Sequence, residues 1–262
     1  MTENGSDSRA GPLGEEHIEA FRRTGYVVVR GLIRGDELAA LQEWVAEIEA
    51  WPEVPGAHML YFEQSRRDPG VRVLNRAENL MPYHAGLRAL MAGPAMAGAV
   101  GQLFGEAAVL FKDKINFKLP GGDGFAAHQD VQAGWDRYAS LHVTAMVSID
   151  ATTAANGCLE VAPGAHDRGQ IGASWRPLED SVLSPEAYVA IETAPGDAVF
   201  FDSYAPHRSA ANETDQPRRV LYFTYNRASE GDQLARYYAD KRASFPPDIE
   251  RDPDKDLSLI HI

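Results

Sequence analysis

Apolar positions in the first hundred residues recur at helical spacing. In EEHIEAFRRT (15–24) Ile18 and Phe21 share one face and Gly25 ends the run, while in 34–51 Leu38, Leu41, Val45 and Ile48 form a stripe, as expected of helices that bury one side. YVVVRGLI between them reads as a short strand. The apolar segment 86–105 predicts a third helical region that Gly93 and Pro94 break in two. Residues 52–83 follow neither period, and so long an irregular stretch predicts a loop that is functional or packed on a site. From Ala107 onward the texture changes: AVLFKDKINFKL, SLHVTAMVSID, CLEVAPG, AYVAIET, DAVFFDS and RRVLYFTYN alternate with turns rich in Gly, Pro, Asn and Asp. The expected fold class is mainly β with flanking α, a sandwich or jelly roll with the N-terminal helices packed on one face. A single domain is expected over 15–245, with a flexible tail at 1–14 and a C-terminal tail at 246–262.

Composition narrows the partners more than the fold. A net charge of −13 opposes binding to nucleic acid or an anionic membrane surface, so an anionic ligand needs a local cluster of cations. The chain shows no run of apolar residues long enough to span a bilayer. A single cysteine, Cys158, allows no internal disulfide and fits a reducing cytoplasm. The expected partner is a small-molecule substrate, with no nucleic acid and no membrane, and the chain itself a monomer or homodimer.

The candidate chemistry starts in GFAAHQDVQAGW, where His128 and Asp130 stand two apart. On an extended strand such residues project to one side and Gln129 to the other. His207 lies at the end of another predicted strand that a jelly roll can bring opposite the pair. Two histidines and a carboxylate make the facial set used by non-haem Fe(II) oxygenases, with coordination positions left open. If 2-oxoglutarate and O₂ take those positions, the far carboxylate of 2-oxoglutarate calls for an arginine fork. A turn at NETDQP would return the chain with Arg218 and Arg219 on opposite faces of a strand, so one of the two enters the pocket. Ser209 shares the face of His207 and can donate to the same carboxylate. The other histidines read as structural, with His142 in a sheet and His166 in a turn.

INFKLPGG, HQD, NGCLEVAPGAH and PHRSAANETDQPRR resemble the phytanoyl-CoA dioxygenase superfamily of Fe(II)- and 2-oxoglutarate-dependent oxygenases over residues 15–230. That resemblance implies a double-stranded β-helix core, His128, Asp130 and His207 as the iron ligands, and Arg218 as the partner of 2-oxoglutarate. Ectoine-hydroxylating members imply that Phe125, Asn116, Trp135 and Ser209 also line the 2-oxoglutarate site, and that NGCLEVAPGAH is a hairpin over the barrel mouth; an ordinary structural turn fits the same text. Halogenating relatives lack the carboxylate, so Asp130 implies a hydroxylase.

A closer resemblance, in YFE, NRAEN and KINFKLPGGDGFAAHQDVQAGWDRYAS, is to the bacterial enzymes that hydroxylate 2-aminoethylphosphonate beside phosphorus. It implies donors for a dianionic head, with Lys114, Lys118, Arg76, Arg137 and Arg176 as candidates, and Glu78, Asp113, Tyr61 or Tyr138 facing an amine. The alternatives are a member of the family acting on another small molecule (ectoine-like, acyl or secondary metabolite), a barrel that binds metal or ligand without turnover, and a zinc hydrolase on the same ligands.

Overall fold

The computed structural model describes residues 11–252. In chain order the elements are α1 (Glu15–Thr24), β1 (Tyr26–Val29), α2 (Gly35–Glu49), β2 (Met59–Gln64), β3 (Arg72–Glu78), α3 (Ala85–Ala92), α4 (Ala99–Phe104), β4 (Ala108–Lys118), β5 (Phe125–His128), β6 (His142–Ser148), β7 (Leu159–Val161), β8 (Val189–Ile191), β9 (Ala198–Asp202), β10 (His207–Ser209), β11 (Arg218–Arg227) and α5 (Leu234–Ser244). Seven strands form one sheet in the order β1-β9-β6-β11-β4-β3-β2, and four form a second in the order β5-β10-β7-β8. Every pairing is antiparallel. This is the expected jelly roll.

The seven-stranded sheet has one apolar and one polar face. Ile115 and Phe117 of β4, Leu221, Phe223 and Tyr225 of β11, and Val143, Ala145 and Val147 of β6 pack with Leu41, Val45 and Ile48 of α2 and with α3 and α4 in the main core. Alternation along the same strands turns Lys112, Lys114, Asn116 and Lys118, paired with Thr224, Tyr222, Val220 and Arg218, toward the second sheet. Charge inside a barrel loses hydration and is retained where it is paired or used. The smaller apolar cluster between the sheets, with Met146, Leu159, Val161, Val199 and Phe201, closes only one end of that interior.

The predicted α1 and the break after Ala92 are found, the latter as α3, a wide turn at Pro94–Gly98, and α4. Residues 52–83 are not a loop. They hold β2 and β3, a hairpin that extends the large sheet. Both faces of these strands are covered, so neither shows the alternation that betrays a half-exposed strand. α5 also escaped the sequence pattern, because its inner face carries Tyr237, Tyr238 and Lys241 instead of an aliphatic stripe.

The described ends are tied down. Leu13 exchanges two backbone hydrogen bonds with the Gln102 side chain, both 2.9 Å. Asp248 accepts from the Phe62 amide at 3.2 Å and meets Arg72 at 3.1 Å, so 246–252, expected as part of a tail, dock against β2 and β3. No helix among the described residues is long and apolar enough to cross a membrane.

Candidate active site

β5 and β10 pair so that His128 and His207 are direct neighbours, with ring centroids 4.3 Å apart and planes at 55°. Asp130 lies beyond the end of β5, in a short 3-10 turn. The extended backbone of Gln129 (φ −110°, ψ 137°) nevertheless keeps the alternation: Gln129 turns away to bond the carbonyls of Gly169 and Tyr204, and Asp130 rejoins the face of His128. Its Oδ1 stands 4.0 Å from Nε2 of each histidine, and the three donor atoms lie within 4.8 Å of one another.

The surroundings prepare these donors for a cation. Nδ1 of His128 donates to the Ala126 carbonyl at 2.7 Å and Nδ1 of His207 to the Ala205 carbonyl at 3.0 Å, which leaves both Nε2 lone pairs facing Asp130. Burial, then the neighbouring His207, presses the His128 imidazole down to about 3, so it stays unprotonated and able to ligate at neutral pH. Burial alone would raise the Asp130 carboxyl, but His207, His128, Lys114 and Lys112 outweigh it and hold it below the usual carboxylate range. The other carboxylate oxygen faces the Thr144 hydroxyl at 3.5 Å. Two imidazole Nε2 atoms and an ionised carboxylate on one side of a cavity fit Fe(II).

That cavity, of about 150 Å³, runs between the sheets. At one end Arg218 is fully buried, and its Nε and both Nη atoms have no hydrogen-bond acceptor among the described residues; the Tyr222 hydroxyl beside it is near enough to feel the charge but not aligned for a directed bond. Lys118, paired with Arg218 across β4 and β11, donates to Ser209 Oγ at 2.8 Å, to the Gly157 carbonyl at 3.3 Å and to the Ala210 carbonyl. Burial, then Arg218, lowers the Lys118 amine to about 6. Asn116 Oδ1 is buried without a partner among the described residues, and Phe125 lies under both Lys114 and Lys118, whose amine nitrogens are 5.8 and 5.7 Å from its ring. A buried guanidinium without a counter-ion among the described residues, beside an amine that an anion would recharge, fits the far carboxylate of 2-oxoglutarate. Arg219 points to the other side and pairs with Asp150 at 2.8 Å and Glu49 at 3.3 Å, while Arg218 lies beside Lys118 and Tyr222.

The opposite end is cationic too. Glu78, fully buried, meets Arg76 at 3.0 Å, Lys112 at 3.9 Å and Lys241 of α5. Burial would raise its carboxyl, but Lys112, Lys241 and Arg76 together hold it far below the usual range. Lys114 lines the cavity between this cluster and the triad, its ammonium 4.6 Å from the Tyr222 ring; burial, then Lys112, lowers it to about 7. At the mouth Asp240 of α5 accepts from the Tyr138 hydroxyl at 2.7 Å. Trp175, in the left-handed region at φ 62°, stacks on Phe245 with centroids 5.3 Å apart.

Several sequence expectations change. Trp135 lines the cavity, but it packs edge-on against Phe111 and His142 with Lys112 at 5.5 Å, which puts it at the lysine end. Gly134 (φ 71°) turns the chain there. Asp113 is on the helix-covered face, accepting from the amides of Leu80 (2.6 Å) and Met81 (3.0 Å) and from Tyr238, so it cannot face a substrate amine. Tyr61 is buried with its hydroxyl donating to the Phe245 carbonyl. Arg176 is exposed and contributes only its carbonyl, to Gln132. The turn of NGCLEVAPGAH packs on the end of α1, Gly164 N donating to the Thr24 carbonyl at 2.9 Å, and does not cover the mouth. Lys112, Lys241 and Asp240 were missed. For Lys112 the signal was present, since it shares the alternation of Lys114 and Lys118; for the other two the helix carrying them had to be found first.

Comparison with known proteins agrees with this geometry. The chain is 40% identical over 258 residues to a 2-aminoethylphosphonate dioxygenase of an uncultured bacterium, covering 93% of each. It is 42% identical over 234 residues to the methylphosphonate hydroxylase of Gimesia maris, covering 89% of this chain and 88% of that one. Among solved structures, EctD from S. alaskensis with 2-oxoglutarate and 5-hydroxyectoine superposes with a TM-score of 0.72 at 24% identity, over 87% of this chain and 80% of that one. Residues 21–220 match the model of the phytanoyl-CoA dioxygenase (PhyH) family, a span that includes His128, Asp130, His207 and Arg218, and the chain belongs to that family.

Proposed function

We propose that this Fe(II)- and 2-oxoglutarate-dependent dioxygenase hydroxylates a small phosphonate, 2-aminoethylphosphonate foremost, at the carbon beside phosphorus, with His128, Asp130 and His207 as the iron ligands and Arg218, Lys118, Ser209, Asn116 and Phe125 around 2-oxoglutarate. The observation that carries the reading is a cavity with a cationic cluster on each side of the triad. One cluster answers the far carboxylate of 2-oxoglutarate, and the other calls for a second anion, the substrate. The names of the two relatives support a phosphonate as that anion. Bound iron would supply the activation of O₂, with 2-oxoglutarate oxidised to succinate and CO₂ while a substrate C–H becomes C–OH.

The residues of this chain do the positioning. Arg218 and Lys118 anchor one anion, the two imidazoles and Asp130 hold the metal, and Trp135 and Phe125 line the walls between the charges. The buried, unpaired Cys158 supports a reducing compartment such as the cytoplasm. The test is anaerobic loading with Fe(II) and 2-oxoglutarate, then O₂, with 2-aminoethylphosphonate, methylphosphonate or ectoine, counting succinate and hydroxylated product. Equal yields with a phosphonate are expected; slow succinate without product from every phosphonate would remove the phosphonate reading.

Methylphosphonate is the second reading. Asp240 favours the amine-bearing substrate, because a carboxylate at the mouth, held by Tyr138, can receive an ammonium two carbons from the head group. Asp240→Asn is expected to lower kcat/KM for 2-aminoethylphosphonate about tenfold, the worth of one charge-assisted hydrogen bond, and to leave methylphosphonate unchanged. Equal losses on both substrates would exclude Asp240 from amine recognition.

A further inference from the structure

We infer that Lys112, Lys114 and Lys241 form the nest that holds the phosphonate head, and that Glu78 is its fixed counter-ion, a positioning residue that does not touch substrate. The inference rests on the proposed phosphonate activity and assigns its binding groups.

Three elements from different parts of the chain converge here: β3 supplies Arg76 and Glu78, β4 supplies Lys112 and Lys114, and α5 supplies Lys241. Glu78 is fully buried, and its two oxygens are committed to Arg76, Lys112 and Lys241. A carboxylate so surrounded cannot accept a substrate amine. It can fix the directions of the ammonium groups, whose remaining N–H bonds are free to point elsewhere. Lys114 enters none of these pairs, and both it and Lys112 act on the Asp130 carboxylate.

Among the described residues Glu78 and Asp130 are the carboxylates that act on Lys114, and with Asp130 facing the two histidines a dianion compensates the three lysines more fully than a monoanion does. Three ammonium groups, two from β4 and one from α5, suit the three oxygens of a tetrahedral head better than the two coplanar oxygens of a carboxylate. A head group held beside Asp130 presents its adjacent carbon to the triad.

Burial holds the Lys114 amine at about 7, so it is mostly neutral at pH 8. A dianion at contact distance raises it again, and binding at that pH must draw in a proton.

The experiment is anaerobic calorimetry of the enzyme loaded with Fe(II) and 2-oxoglutarate, titrated with 2-aminoethylphosphonate and with its carboxylate analogue 3-aminopropanoate, at pH 8 in two buffers of different ionisation enthalpy. Wild type is expected to prefer the phosphonate and to take up about one proton per phosphonate bound. Lys112→Met, Lys241→Met and Lys114→Met are each expected to weaken phosphonate binding about tenfold or more, with Kd for 2-oxoglutarate unchanged in the first two and, for Lys114→Met, the proton uptake gone. Lys114→Met breaks no ion pair and so tests the nest even where the other two lose 2-oxoglutarate binding through misfolding. Glu78→Gln is expected to raise KM for the phosphonate while sparing kcat and the KM for 2-oxoglutarate. Unchanged phosphonate affinity in Lys114→Met would overturn the inference while wild-type binding upheld the proposed function; wild type that binds no phosphonate would overturn both.

Discussion

With Fe(II) present, 2-oxoglutarate at a hundred times its Kd is expected to stabilise the wild-type protein by about 2.7 kcal/mol, a rise in Tm of about 5 to 11 °C for a domain of this size, and Arg218→Met is expected to erase that rise. The reason is the unusual state of the guanidinium, fully buried with no acceptor for any of its three nitrogens among the described residues. A forked donor in that state recovers its lost hydration only from a bidentate acceptor. The carboxylate of 2-oxoglutarate is that acceptor, and a thioether in its place offers nothing. Met keeps the unbranched stem of Arg as far as Nε and removes a buried charge, so the fold should survive. Arg218→Lys should restore part of the shift, because a point charge remains without the fork. Differential scanning fluorimetry reads both. A full thermal shift in Arg218→Met would show that 2-oxoglutarate binds elsewhere.

Asp130→Ala should abolish coupled turnover and cut Fe(II) affinity by more than ~100-fold, since even partners that only orient a ligand are worth 10- to 100-fold. Two imidazoles would remain, both with Nδ1 tied to backbone carbonyls, but the carboxylate 4.0 Å from both Nε2 atoms would be gone. The fold should persist, because Asp130 sits in a 3-10 turn outside the strands and, among the described residues, its side chain accepts only the long hydrogen bond from Thr144. Metal titration and circular dichroism measure the two halves of this expectation. Full activity in Asp130→Ala would remove it from the ligand set.

What could be seen in the sequence followed from short-range rules. His128 and Asp130 share a face because one extended residue separates them, and Arg218 lies on the inner side of β11 while Arg219 leaves it because strands alternate. His207 and Ser209 then follow from the register of β10 on β5. The lysine end was harder to see because it has no local signature. Glu78 read as a candidate for an amine, although three cations from β3, β4 and α5 neutralise it; only the fold brings them together. Tyr61 and Asp113 were misplaced for the same reason, as β2 lay in an apparent loop and the face of Asp113 depends on which side the helices cover. Trp135 was displaced by a single left-handed glycine at 134.

α5 lies wholly beyond the segment that matches the family, which stops at residue 220, yet it carries Lys241 and Asp240. The iron ligands and Arg218 fall inside that segment. Recognition is therefore split: Glu78, Lys112 and Lys114 share the family segment with the triad, while Lys241 and Asp240 come from outside it. Substrate range can drift through mutation of α5 without disturbing the triad, and an engineer seeking a new phosphonate would randomise the inner face of α5 before touching the barrel.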